Sequence, residues 1–402
     1  MLKLLVVAPM CNRDDVGESW SAYQFVRRLG ERYELTLLTY HKRDRQPVAE
    51  QLDGVRVVEW VEPPLVGRAE RLNSMLKPGY IPFFFQAKRW IRQARARGER
   101  FDLAHQIVPL AMRYPSPLAG SGIPYVLGPV GGSLESPPAF AAEDTAAWYV
   151  RLRNVDEFRL RHDRSLRRTY AQAATVIGIA PYVQELLATI PLRRFAVMGD
   201  TGIETLPDPI DRSARGEPVR LLYVGRLVRT KGARDAIRAM AQLRDLPVHL
   251  DIAGDGFDRA ACEQLVGELG LHDRVSLLGR RARAEVDDLY RNADIFVFPS
   301  YREPGGNVVA EAMAFGLPLV VSDRGGPGHV VDDSCGIRVP VRGLDEFATD
   351  IAAAVRRLVL EPRTRLALGA AARHRIAAMA LWDNKIEQLA GIYDGVIEDV
   401  PG

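Results

Sequence analysis

The sequence predicts an α/β protein made of two doubly wound parallel-sheet domains in series. Three observations lead there. The chain has 402 residues, 47% of them hydrophobic, which is more apolar material than one core usually holds. Short apolar runs alternate with helix-period segments, as in parallel sheets covered on both faces. That alternation stops at a Pro- and Gly-rich stretch and then begins again.

The first half opens with LKLLVVA (2–8), an uninterrupted apolar run expected of a strand buried on both faces. A polar loop and a helix from Glu18 to Arg32 follow, then strands at 33–40 and 55–60, and a helical segment at 84–99. FDLAH (101–105), PYVLGPV (124–130) and ATVIGIA (174–180) read as further strands, with a long helical stretch, about 143–172, between the last two. Residues 191–218 interrupt the pattern with Pro191, Pro207, Pro209 and Pro218. The strands then resume at 219–225, 248–254, 274–279, 294–300 and 317–322, with helices at 232–244, 257–269, 284–292 and 306–315 between them. Helices at 344–360, 363–379 and 382–399 close the chain. We place a first domain at 1–195, a linker at 196–218 and a second domain at 219–379. The segment from about 380 to 402 is expected to pack back on the first domain.

Net charge is only +3, with 26% charged residues, too balanced for a dedicated nucleic-acid binder. The halves differ. Residues 1–200 carry 28 Lys+Arg against 21 Asp+Glu, net +7, and the remainder carries 26 against 30, net −4. Three widely spaced cysteines, Cys11, Cys262 and Cys335, form neither a disulfide framework nor a metal-ligand pair. The apolar start is too short for a secretory signal core, and no run reaches the length that spans a bilayer. A cytoplasmic protein, with contact at the inner face of the membrane left open, is the expectation.

Open α/β sheets bind ligands in loops beyond the carboxyl ends of their strands. The richest such loop is SYREPGGNVVAEAMAFGLPLVVSD (300–323). Gly305 and Gly306 sit where a helix begins, so bare backbone amides and a partial positive charge are available to a phosphate. Glu311, about two turns in, suits ribose hydroxyls, and Glu303, before the helix, suits a sugar. Arg226 and Lys231 lie in the loop after the strand at 219–225. Fixed cations or a metal ion can neutralise a departing diphosphate. No Asp-x-Asp pair occurs anywhere in the chain, so the cations are the candidates, with no metal and no cofactor. The Gly254-x-Gly256 pair lacks the third glycine of a dinucleotide fingerprint.

With these residues in view, the chain resembles glycosyltransferase family 4, the retaining GT-B transferases (glycosyl transferases group 1). VGRLVRTKG (224–232), IAGDG (252–256), VSLLG (275–279), YRNADIFVFPS (290–300) and EPGGNVVAEAMAFGLPLVVS (303–322) match in order over about a hundred residues. The Gly17 loop, FDLAH and LGPVGGS (127–133) match more loosely. The resemblance implies two Rossmann-like domains facing across a cleft, the donor in the second and the acceptor in the first. It implies that Arg226 and Lys231 bind the donor diphosphate, that Glu303 faces the donor sugar and that Glu311 binds the ribose. Gly305, Gly306 and Asn307 fall at the segment that cradles phosphate and sugar. Here Gly-Gly-Asn stands where members more often have Phe-Gly-Leu. Gly17 falls near the loop that meets the diphosphate from the first domain, and His105 where a histidine often stands beside the donor sugar.

The implied reaction is metal-independent, retaining transfer of a sugar from a nucleotide-sugar donor to a glycan, a lipid-linked or a small-molecule acceptor. A nucleotide-sugar 2-epimerase on the same fold and a non-catalytic sugar-nucleotide-binding protein are the alternatives. LGPVGGSLESPP (127–138) is either a wall of the acceptor pocket or a tight turn. Two basic stretches remain. Residues 86–100 hold six Lys/Arg against one Glu, with Trp90 and Ile91 interleaved, and 151–168 hold seven Arg against three acids. Such helices fit either an anionic membrane surface or plain solvation.

Overall fold

The computed structural model describes residues 1–42, 45–63, 77, 79–132, 134–140, 143 and 153–399. The chain divides into two compact units. The first comprises residues 1–133, 148–202 and 382–402, and the second 134–147 and 203–381.

The first unit is built on a seven-stranded parallel sheet in the order β3-β2-β1-β4-β5-β6-β7. Its strands are β1 (Lys3–Met10), β2 (Glu34–His41), β3 (Arg56–Val61), β4 (Leu103–Gln106), β5 (Tyr125–Val130), β6 (Thr175–Gly178) and β7 (Phe195–Val197). β1 and β2 each bury six consecutive residues, because helices cover both faces of a parallel sheet. The helices are α1 (Glu18–Arg32), α2 (Tyr80–Ala96), α3 (Arg153–His162), α4 (Arg164–Gln172) and α5 (Tyr182–Leu186).

Two details differ from the sequence reading. The helical stretch expected over 143–172 contains two helices, divided at Asp163, whose carboxylate caps α4 by accepting from the amides of Ser165 and Leu166. Residues 144–152 of that stretch lie outside the described residues. Residues 196 and 197, placed in the linker, belong with Phe195 to the edge strand β7, paired with β6. Three residues beside Pro191 were too short a run to stand out.

The second unit carries a six-stranded parallel sheet in the order β10-β9-β8-β11-β12-β13. Its strands are β8 (Val219–Val224), β9 (Val248–Ala253), β10 (Val275–Gly279), β11 (Ile295–Phe298), β12 (Leu319–Ser322) and β13 (Gly336–Val339). The helices are α6 (Ala233–Ala241), α7 (Arg259–Glu268), α8 (Arg283–Asn292), α9 (Asn307–Ala314), α10 (Gly325–Val330), α11 (Leu344–Leu360) and α12 (Pro362–Ala380). Strand order reverses between β8 and β11, which makes the loops after these two strands the natural ligand site.

The last helix, α13 (Trp382–Glu398), belongs to the first unit. Trp382, Leu389 and Tyr393 share a core with Leu4, Val6, Phe25 and Leu29. Trp382 meets Phe25 edge to face at 4.9 Å, a preferred aromatic geometry. Conversely, Phe140, from the chain between β5 and α3, belongs to the second unit's core.

Candidate donor site of the second unit

The loop after β8 is held from beneath. The hydroxyl of Tyr223 donates to the carbonyl of Lys231 at 3.2 Å, and that of Ser300, just past β11, to the carbonyl of Thr230 at 3.1 Å. Gly232 then starts α6 at φ 78°, and a Cβ there would lie 2.1 Å from the Pro299 carbonyl oxygen. Only glycine allows this approach. The two switch-point loops are thereby locked together, and Lys231 is delivered to Glu303.

Lys231 donates to the Glu303 carboxylate, and to the Arg302 carbonyl at 3.2 Å. The other oxygen of Glu303 accepts from the Gly306 amide at 3.3 Å. Gly306 is the N-cap of α9 at φ 91°. One carboxylate therefore bridges a cation and a helix N-terminus, the two features that bind phosphate. Lys231 is 8% exposed. Burial lowers its pKa, the charge of Glu303 opposes that, and Arg226 and Arg302 push it further down. Arg226 is exposed and forms no ion pair with the described residues. Asn307, the first residue of α9, is also exposed.

Glu311, on α9, is half-buried. It accepts from Arg283 at 2.6 Å and from the Tyr290 hydroxyl at 3.1 Å. Arg283 and Tyr290 went unmarked in the sequence, since they stand on another helix and nothing in their spacing ties them to Glu311. The structure thus brings together Lys231, Glu303, Gly305 and Gly306, with Arg226 on the same loop as Lys231.

His105 is different. The sequence places it at a strand end facing a cleft, whereas the structure places it in the core at 0% exposure. Both ring nitrogens are engaged, Nδ1 with the Tyr393 hydroxyl and Nε2 with the Gly128 carbonyl, each at 2.6 Å. Burial pushes its pKa down to about 4, so the ring is neutral. The element that covers it, α13, lies 288 residues away in sequence, out of reach of local pattern. Gly17 caps α1 in the first unit at φ 66°, with no atom within 4 Å of where a Cβ would stand.

Ile91, interleaved with the basic stretch 86–100, is a core residue at 2% exposure, and Trp90 packs on Phe101. No helix among the described residues is long and apolar enough to cross a membrane.

Comparison with known proteins follows the same division. The sequence profile described as Glycosyl transferases group 1 matches residues 209–375. Alpha-D-kanosaminyltransferase of Streptomyces kanamyceticus is 36% identical over 176 residues, which is 43% of this chain and 45% of that protein. D-inositol 3-phosphate glycosyltransferase of Thermobifida fusca is 28% identical over 319 residues, 75% of this chain and 71% of that one. This chain thus spans about half the length of the first curated relatives it matches. Among solved structures, sucrose-phosphate synthase from Thermosynechococcus elongatus superposes with a TM-score of 0.66 at 20% identity, covering 100% of both chains. Anabaena HepE in complex with UDP gives 0.64 at 18%, covering 98% of this chain and 100% of that one.

Proposed function

We propose that this chain, which matches the glycosyl transferases group 1 profile over residues 209–375 and has the GT-B fold, transfers a sugar from a nucleoside diphosphate donor to an acceptor hydroxyl. The observation that carries this reading is the bridge Lys231–Glu303–Gly306 amide at the switch point of the second sheet. Lys231 and Arg226 neutralise the diphosphate as it leaves, and the α9 N-terminus takes its oxygens. Glu303 meets the sugar hydroxyls and Glu311 the ribose. The first unit receives the acceptor.

The reaction we propose is metal-independent and retains configuration. The acceptor oxygen bonds to the anomeric carbon on the face from which the phosphate departs. The bond from that carbon to the phosphate oxygen breaks, and the acceptor proton passes to the leaving phosphate. The epimerase alternative needed His105 as a base beside the sugar, and a neutral, doubly engaged core histidine does not favour it.

The test has two steps. A melting panel of UDP, GDP, ADP and dTDP identifies the donor base, since a ligand bound only by the folded state raises the melting temperature. The matching sugar nucleotides are then offered with glycan and lipid-linked acceptors, and the product anomer is read by NMR. Transfer with retention is expected. Lys231→Ala should lower turnover by about 10²–10³-fold. No stabilisation by any diphosphate, or full turnover in Lys231→Ala, contradicts the reading.

A further inference from the structure

Residues 134–140 and Glu143 do not stay with the unit that surrounds them in sequence but belong to the second unit. Phe140 is fully buried, its ring 4.4 Å from Tyr301 and 5.8 Å from Phe347. The guanidinium of Arg229 lies 5.5 Å from the ring centroids of both Phe140 and Tyr301, a cation–aromatic arrangement that gains strength when desolvated.

Arg229 donates to both oxygens of Asp235, at 2.5 and 2.9 Å, and to Glu143. Arg238 reaches Asp235 at 3.2 Å and Glu143 at 3.4 Å. Two guanidiniums thus face two carboxylates. Burial alone would lower the pKa of Arg229, but Asp235 and Glu143 raise it, so its charge is secure. The sequence showed none of this, because Glu143 and Arg229 are 86 residues apart.

The placement matters. Arg229 is two residues before Lys231, and Tyr301 is two residues before Glu303. One buried contact therefore grips the root of each loop that brings the ion pair together. The same segment continues along the site. The Ser136 hydroxyl accepts from Arg302 at 3.3 Å, and the Glu135 carbonyl accepts from Arg324 at 3.0 Å. The loops after β8, β11 and β12 are all touched by it.

We propose that residues 134–140 and Glu143 form a strap that positions the donor site, with Phe140 and Glu143 acting through Arg229 and Tyr301 to set Lys231 against Glu303. Phe140 and Glu143 are positioning residues and touch no substrate. The functional consequence rests on the donor-site reading above. The physical basis is that binding groups act only when a packed supporting layer fixes their geometry, and small displacements cost large factors.

The experiment uses four full-length variants. Phe140→Ala removes the ring and Glu143→Gln the charge, while Phe140→Leu keeps apolar volume. Leu358→Ala, in the same core but on α11, is the control for general destabilisation. Amide hydrogen exchange is followed at 226–232 and 299–306, and UDP affinity by calorimetry. Phe140→Ala should speed exchange in both loops, Glu143→Gln in the first, and Phe140→Leu should restore most of the protection. UDP affinity should fall by about tenfold or more in Phe140→Ala and stay near wild type in the control. Loop exchange in Phe140→Ala no faster than in Leu358→Ala overturns the proposal. If wild-type protein binds no UDP, exchange alone decides the strap, and the binding result counts against the donor reading instead.

Discussion

Lys231 and His105 show how burial sorts two groups that the sequence had set side by side as catalytic candidates. Lys231 is buried against the Glu303 carboxylate, which also accepts from the helix N-terminus at Gly306, so its charge is opposed by desolvation but answered by a partner, as at a ligand-ready site. His105 is buried with neutral partners only, and its proton affinity falls. That fall has a consequence for stability. The folded state holds the ring neutral down to about pH 4, whereas an unfolded histidine takes up a proton near its model value of 6.5. Between those limits the unfolded chain binds more protons, so stability is present above pH 6.5 and is lost as pH falls toward 4. The full shift corresponds to about 3 kcal/mol. Melting temperatures measured from pH 4 to 7 should rise more steeply in wild type than in His105→Gln. Equal slopes would mean that His105 titrates normally, as an accessible histidine does. The residue types at 226, 231, 303, 306 and 311 were legible in the sequence because local spacing after a strand fixes where they stand. His105 was not, because its environment is made by Tyr393, from the far end of the chain.

At the scale of elements, most strands of the two sheets were readable, since parallel strands buried on both faces announce themselves as unbroken apolar runs. The short edge strands β7 and β13 and the strap were not. β7 offers only three half-buried residues, and the strap depends on one aromatic side chain, Phe140, finding a core contributed by another part of the chain. Helix α2 is a mixed case. The sequence marked its charge, and the structure corrects which apolar residues accompany it. Ile91 faces inward, while Ile81 and Phe85 are each 64% exposed and stand in line with Lys88 and Arg92 on one face. The helix contains no Asp or Glu. Exposed apolar side chains beside cations that form no ion pair with the described residues suit the headgroup layer of an anionic membrane, and we propose contact there. Charge reversal at Arg92 together with Phe85→Ser should weaken co-sedimentation with phosphatidylserine vesicles and leave neutral vesicles indifferent. Unchanged sedimentation would return this face to plain solvation.

For the molecule as a whole, the charge asymmetry of the sequence now has locations. The basic first half includes α2, and the more acidic second half contains Glu303 and Glu311 at the edge of its sheet. Each unit repeats one architecture, a parallel sheet whose order reverses at a switch point, and in the second that point gathers a buried lysine, a carboxylate and a helix start that the sequence had singled out. The account therefore stands on how two linked phosphates are gripped there. A crystal structure with the bound nucleoside diphosphate tests this most directly. The expected result is both phosphates within hydrogen-bonding reach of Lys231, Arg226 and the amides at Gly305–Gly306, with no metal ion between them and the protein. Phosphates held by a metal, or seated away from the start of α9, would contradict it.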